Sequence, residues 1–328
     1  MKKMRYIILI LLILNSFITF GQIKTDTIES RCQTVIAIRG LNIRAKPDKT
    51  SKILGKVPFG EQIKYLSKQS FGSDTILDYK SLYSSYLVTN KEFKFVGNWA
   101  KINYKGTIGF VLDCYLFYDT KKDLKNDNNE NFALLYPYSA CYTNIYQPNK
   151  FNWYGMYRDK AGKYSLRKVN INYFSVYNEN FGGKDFGVAA DNNNGLILII
   201  GTKEILKEGE RKCIDLVSMK FDNDRTYNED EMKLYGIEKV NVTKDNPVGY
   251  YVIKSGSKVQ EIKITVKGRE AYPINQIEFI GDIDGDNKLD YILSSEAEEG
   301  YNVLFLSSMK KKNNIVEPVA YFYTCYCC

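Results

Sequence analysis

Apolar and polar positions alternate with a period of two over most of this chain, in short runs broken by Gly, Asn, Asp and Pro. That period belongs to β-strands, whose successive side chains face opposite sides. Residues 34–38 read as a strand ended by Gly40, and Leu41 and Ile43 alternate up to Pro47. Ile53, Leu54 and Val57 make a second short segment, Phe59-Gly60 a turn, and Ile63 and Tyr65 resume the alternation. Trp99, Ile102 and Tyr104 predict the next strand, Lys105-Gly106 a hairpin turn, and residues 110–112 a closing strand. Residues 67–96 interrupt this pattern. They carry Tyr79, Leu82, Tyr83, Tyr86 and Leu87 at roughly helical spacing, and they read either as a lid or as an extended hairpin.

The polar, Asn-rich stretch 119–131 reads as a linker. Strand signals return from Phe132. Residues 153–158 and 164–173 flank an Asp-Lys-Ala-Gly turn, with Val169, Ile171 and Tyr173 alternating against Asn170 and Asn172. The continuous apolar run 196–200 predicts a central strand. Residues 250–254 and 261–266 surround a Ser-Gly-Ser turn, and 277–280, 291–293, 303–306 and 319–323 complete the set. No helix longer than two or three turns is predicted. No internal repeat is evident, which argues against a multi-bladed propeller. The expected fold class is mainly β: a small N-terminal barrel over 32–118, then a larger antiparallel β domain over 132–328.

Composition fits this picture, with 27 Tyr and only seven Pro. Residues 1–21 have the form of a secretory signal, with basic Lys2, Lys3 and Arg5, an apolar run over 6–14, and FITFGQ as a cleavage site after Gly21. The alternative is an uncleaved N-terminal anchor. The apolar run falls short of the roughly 20 residues a membrane span needs, and no second run is long enough, so no membrane span is expected in the mature chain. The formal charge of +8 falls to +5 without the three leader cations. The remaining basic residues are interleaved with acids, which argues against nucleic acid as a partner.

The chain has no His. Ser-His-Asp and Cys-His catalysis and His-ligated zinc hydrolysis are thereby excluded in their usual forms. Carboxylate-pair hydrolysis needs no His. Its only sequence support is Glu296, Glu298 and Glu299, beside an acidic loop described below.

The blocks GLNIRAKPDKTSKILGKVPFGEQIKYL (40–66) and GNWAKINYKGTIGFVLDCYL (97–116) resemble the two halves of a bacterial SH3 (SH3b) domain, with 67–96 as an insertion. The closing strand carries Phe110 where the family often has Trp. The resemblance implies a small β-barrel on an exported protein, periplasmic or at the cell surface, that binds and does not catalyse. Lysostaphin-type modules bind peptidoglycan peptides in a groove of aromatic and polar residues. Carried over residue by residue, that groove implicates Asn42 and Arg44 in LNIR, Trp99 in a Gly-x-Trp string, and Tyr104. The expected partner is a peptidoglycan peptide or an envelope protein. Export also makes disulfides plausible for the seven Cys. Cys32 and Cys114 lie near the ends of the segment and are the preferred pair. Cys325, Cys327 and Cys328 leave open a bond to Cys141 or Cys213, or a thiolate metal site.

GDIDGDNKLDYIL (281–293) sets Asp282, Asp284, Asp286 and Asp290 at loop positions 1, 3, 5 and 9. Alternate carboxylates in a tight turn converge, and the Lys288 carbonyl at position 7 adds an oxygen, a donor set suited to Ca²⁺. Asn287 at position 6 tolerates the left-handed backbone an EF-hand gives to Gly, but Leu293 at position 12 rules out that motif. The string resembles the calcium loops of FG-GAP and VCBS-type β proteins, which implies a structural Ca²⁺. The alternative is a solvated acidic turn.

Overall fold

The computed structural model describes residues 32–325, apart from 68, 82–90, 118–130, 138–147, 179–182, 215, 217–232, 234, 241–249, 263, 267–268, 273–275, 296–298 and 312. The expected leader, all of the expected linker but Asn131, and Cys141, Cys327 and Cys328 therefore lie outside the described residues.

In the N-terminal third the strands are β1 (Gln33–Val35), β2 (Leu41–Arg44), β3 (Ile53–Val57), β4 (Gln62–Tyr65), β5 (Ser73–Ser81), β6 (Lys91–Tyr104), β7 (Thr107–Leu112) and β8 (Leu116–Phe117). They pair in the order β3-β2-β7-β6-β4-β1-β8, with β5 added along β6. The sheet curls around Val35, Leu41, Ile43, Val57, Ile63, Ile102, Val111 and Leu116, all buried. The period-two alternation read from the sequence selects these residues. Lys105 and Gly106 both have positive φ, 49° and 88°, and make the tight β6–β7 turn. Where it is described, the interrupted stretch is an extended antiparallel pair, β5 with β6 from Ser73↔Asn98 to Ser81↔Lys91; Leu82, Tyr83, Tyr86 and Leu87 lie outside the described residues.

The rest of the chain is again sheet. β9 (Phe132–Leu135), β10 (Asn152–Arg158), β11 (Tyr164–Lys168), β12 (Ile171–Asn178), β13 (Gly183–Ala190), β14 (Leu196–Thr202) and β15 (Gly209–Arg211) come first. β16 (Ile237–Val240), β17 (Tyr250–Ser255), β18 (Lys258–Ile262), β19 (Ile264–Val266), β20 (Arg269–Tyr272), β21 (Gln276–Gly281), β22 (Asp290–Ser295), β23 (Glu299–Leu306) and β24 (Glu317–Cys325) follow. A five-stranded sheet has the order β15-β11-β10-β14-β9, with the predicted central strand β14 in its interior. β21 to β24 form an antiparallel meander in chain order. All described pairings are antiparallel, so the molecule is mainly β, as expected.

Two expected strands divide. Residues 164–173 split at Val169-Asn170, where the Val169 N–H turns to the Trp153 carbonyl and Asn170 bonds Asp191. β11 then belongs to the five-stranded sheet, whereas β12 pairs with β13 alone. Likewise 261–266 splits, its end pairing as β19 with β20.

The meander is apolar on both faces. Phe279, Ile292, Leu304 and Phe322 enter one core with β9, β10 and β14; Ile280, Tyr291, Leu293, Val303 and Phe305 enter a second with Ile253 and Ile262. A bulge between Ile277 and Phe279 puts both Ile277 and Ile280 on the second face despite their odd spacing. Ile36, one residue along from barrel-facing Val35, is fully buried in the first core, and Ile38, Phe59 and Phe117 pack there too. The barrel's outer face is thus continuous with the core of the following sheets.

The expected Cys32–Cys114 disulfide is corrected by register: no bond joins the two. β1 runs against β8 with Thr34↔Phe117 and Val35↔Leu116, and the Ile36 N–H then reaches the Tyr115 carbonyl. Cys114 therefore approaches the Ala37 end. Cys32, five residues back at ~3.3 Å each, falls outside the roughly 7 Å Cα separation that a disulfide spans. Cys114 instead packs with Trp99 and Leu112.

Among the described residues no helix is long and apolar enough to cross a membrane.

Candidate functional site

A cavity of about 340 Å³ opens where the barrel meets the β5–β6 hairpin and β12. Its floor and walls are apolar: Ala37, Ile38, Leu41, Ile76, Trp99 and Leu112. The polar groups are Asn42, Arg44, Tyr115 and Asn172, with Arg39 and Lys49 at exposed positions. Three of the four groove residues expected from sequence, Asn42, Arg44 and Trp99, meet here.

Each is positioned by its strand. In β2 the burial alternates, so Leu41 and Ile43 enter the barrel core while Asn42 and Arg44 face outward. Arg44 donates from Nη1 to the Ser51 carbonyl at 2.7 Å, which fixes the β2–β3 loop and leaves a rigid guanidinium plane at the cavity wall. Lys49, on that loop, donates to the Thr75 carbonyl of the hairpin. Trp99 is only 2% exposed. Its indole N–H donates to Asp74 Oδ2 at 2.9 Å, which ties the base of β5 to β6. An aromatic held in this way gives contact area at little cost in side-chain entropy. Burial raises the Tyr115 phenol to about 12, with the neighbouring Cys114 a lesser cause, so it stays a neutral hydroxyl at the cavity edge.

Tyr104 does not join them. It lies at the β6–β7 turn, its hydroxyl 3.4 Å from Glu61 Oε2 and its ring under the Lys105 ammonium at 4.9 Å.

Arg39, Lys49, Ile76, Tyr115 and Asn172 were not singled out by sequence. Tyr115 closes the expected module, and Ile76 sits in the insertion. Asn172 comes from β12, brought alongside by Ser175 Oγ, which donates to the Leu116 carbonyl at 2.8 Å. Nothing in the linear sequence marks that juxtaposition.

The acidic loop joins β21 to β22. Gly285 and Asn287 have positive φ, 88° and 63°, so Asn287 does take the left-handed conformation. Asp282, Asp284 and Asp290 present carboxylate oxygens within 4.8 Å of one another. Asp290 is fully buried. Its oxygens accept from the Ile283 and Ser307 N–H groups, both at 2.8 Å. Asp282 accepts from the Gly285 N–H at 2.7 Å and the Asn287 N–H at 3.1 Å. Asp284 accepts from the Ser308 hydroxyl.

Burial and then the charge of Asp284 push Asp290 up to about 7, and burial also raises Asp284. These are the marks of carboxylates crowded without a counter-charge, and a hard divalent cation would relieve them. The donor set therefore fits Ca²⁺. Asp286 is turned elsewhere: its carboxylate takes the Lys288 ammonium at 2.8 Å and the Ser307 hydroxyl at 3.1 Å. Burial opposes its ionisation, but the Lys288 ammonium, the Lys288 N–H and Ser307 together outweigh that and lower its pKa. Of the five expected ligands, three carboxylates converge. Cys213 bridges β21 at Gly281, and its thiol is pushed up to about 12 by burial and by Asp282.

Of the acids expected for a hydrolase, Glu296 and Glu298 lie outside the described residues. Glu299 begins β23.

Residues 39–116 match the model of the Bacterial SH3 domain family. The match spans β2 to the first residue of β8 and takes in the β5–β6 hairpin. Every cavity-lining residue except Ala37, Ile38 and Asn172 lies inside it. No curated protein and no solved structure matches the chain.

Proposed function

We propose that this is an exported, non-catalytic binding protein whose SH3 module holds a cell-wall peptide in the Asn42–Arg44–Trp99 cavity. The observation that carries this is the convergence of those three residues, implied by the SH3 resemblance and all inside the matched segment, on one preformed cavity. The cavity offers a buried aromatic wall with a few fixed polar groups, the usual make-up of a small-ligand site. An envelope protein partner is the other occupant this surface suits. Residues 1–21 act as the leader in this reading, 119–131 as the link, and 132–328 as a β scaffold. Tyr104 is not assigned to the site.

The scaffold's acidic loop is proposed as a structural Ca²⁺ site held by Asp282, Asp284 and Asp290. The likeness of the loop to FG-GAP and VCBS calcium loops supports this assignment, as does the crowding of its carboxylates. The cation would fix the β21–β22 turn by neutralising charge, and no chemistry is assigned to it.

The test is co-sedimentation of the chain from residue 22 onward with purified peptidoglycan sacculi, beside an Arg44→Gln variant. Pelleting of the parent, weakened in the variant, is expected. A parent that stays in the supernatant sinks the cell-wall reading and leaves the envelope-protein partner.

A further inference from the structure

The chemistry of the cavity is one-sided. Among its described lining residues three are cationic, Arg39, Arg44 and Lys49, and none is acidic. Asp74, the carboxylate beside Trp99, is engaged by the indole N–H. A ligand with free carboxylates would meet a positive wall with few competing anions and a planar guanidinium already oriented by Ser51. The cavity also extends beyond the matched segment. Asn172 lies on β12, where Ile171 and Tyr173 on either side enter the C-terminal core, so Asn172 alternates to the opposite face. Ser175 fixes that strand against the closing turn of the module through the Leu116 carbonyl.

We propose that the cavity is a composite carboxylate-recognition site, in which Arg39, Arg44 and Lys49 supply charge and Asn172, from outside the SH3 module, supplies an amide that selects the ligand. This rests on the cell-wall reading above and narrows it to carboxylate-bearing peptides. It also makes Asn172 a specificity residue: the amide donates to one carboxylate oxygen and accepts from a neighbouring peptide N–H, which an arginine cannot do.

The probe is a mixture of soluble muropeptides released from sacculi, used untreated and after conversion of its carboxylates to amides. Binding to the full mature chain is measured by calorimetry for the parent, Asn172→Asp, Asn172→Ala and Arg44→Gln, each checked for an unchanged unfolding midpoint. The parent is expected to prefer the untreated mixture by about tenfold or more, the effect of charge-assisted bonds lost in a desolvated site. Asn172→Asp keeps the shape but adds a like charge, so it should abolish binding of the untreated mixture and spare the amidated one. Asn172→Ala should weaken the untreated mixture by about tenfold. Equal binding of both mixtures by the parent overturns the carboxylate assignment while the cell-wall reading stands. Full binding by both Asn172 variants, with loss in Arg44→Gln, overturns the composite site. Absence of binding to either mixture overturns both readings together.

Discussion

Asp290 shows how one side chain can report on the state of a whole loop. Its carboxyl is buried beside Asp284, and its pKa stands at about 7 against an ordinary 3.8. A folded pKa above the unfolded one means that the metal-free native state binds the extra proton. The stability this contributes is complete below about pH 4 and is lost as pH rises through about 7. A Ca²⁺ bound as proposed would compete with that proton. Added Ca²⁺ is therefore expected to raise the unfolding midpoint strongly at about pH 8 and weakly at about pH 5, with about 2.7 kcal/mol available at a hundredfold excess over Kd. Asp290→Asn should abolish the calcium response and lower the metal-free stability by about 1–3 kcal/mol, because the amide nitrogen cannot accept from one of the two backbone N–H groups, of Ile283 and Ser307, that the carboxylate now satisfies. Thermal scans with Ca²⁺ and with a chelator decide it: a parent indifferent to Ca²⁺ at both pH values makes the loop a plain acidic turn.

At the scale of elements, the period-two pattern was a reliable guide wherever a strand's two faces meet different surroundings. Leu41 and Ile43 against Asn42 and Arg44 is the clearest case, because one face is buried in the barrel core and the other is half-exposed. The Lys105-Gly106 turn and the left-handed Asn287 were legible for a local reason: few residues accept positive φ. Non-local partners were not legible. In residues 164–173 the alternation slips by one at Arg167-Lys168, but nothing local says that β11 and β12 then join different sheets. In the 67–96 stretch the described residues are identified by the pairing of β5 with the long β6, a partnership that local spacing does not reveal. β1 is the element with most consequence for the whole. Val35 serves the barrel core, and Ile36, at 0% exposure, serves the adjoining core. Ile36→Ala is expected to cost about 2–5 kcal/mol. Urea unfolding followed by tryptophan fluorescence should show it as one shifted transition. Two separate transitions, with only one of them moved, would contradict a shared core.

The molecule as a whole reads as a barrel set into a larger β body, with its cavity at their junction. The matched family segment accounts for the barrel from β2 to the start of β8, while β1 precedes it. The candidate cavity was half legible from sequence: Asn42, Arg44 and Trp99 could be found from the module alone. Asn172 could not, because it is 73 residues beyond Trp99 and reaches the cavity only through the docking of β12. The absence of His removes several catalytic classes and bears on the chain as a whole.

The chain has two Trp, and one of them, Trp99, lines the cavity, while Trp153 lies in the C-terminal core. Titrating a Trp153→Phe variant of the mature chain with soluble muropeptides isolates the Trp99 emission. A saturable change in that emission, diminished in Arg44→Gln, is the predicted result. Muropeptide binding by calorimetry with no change at Trp99 would place recognition elsewhere and contradict the account.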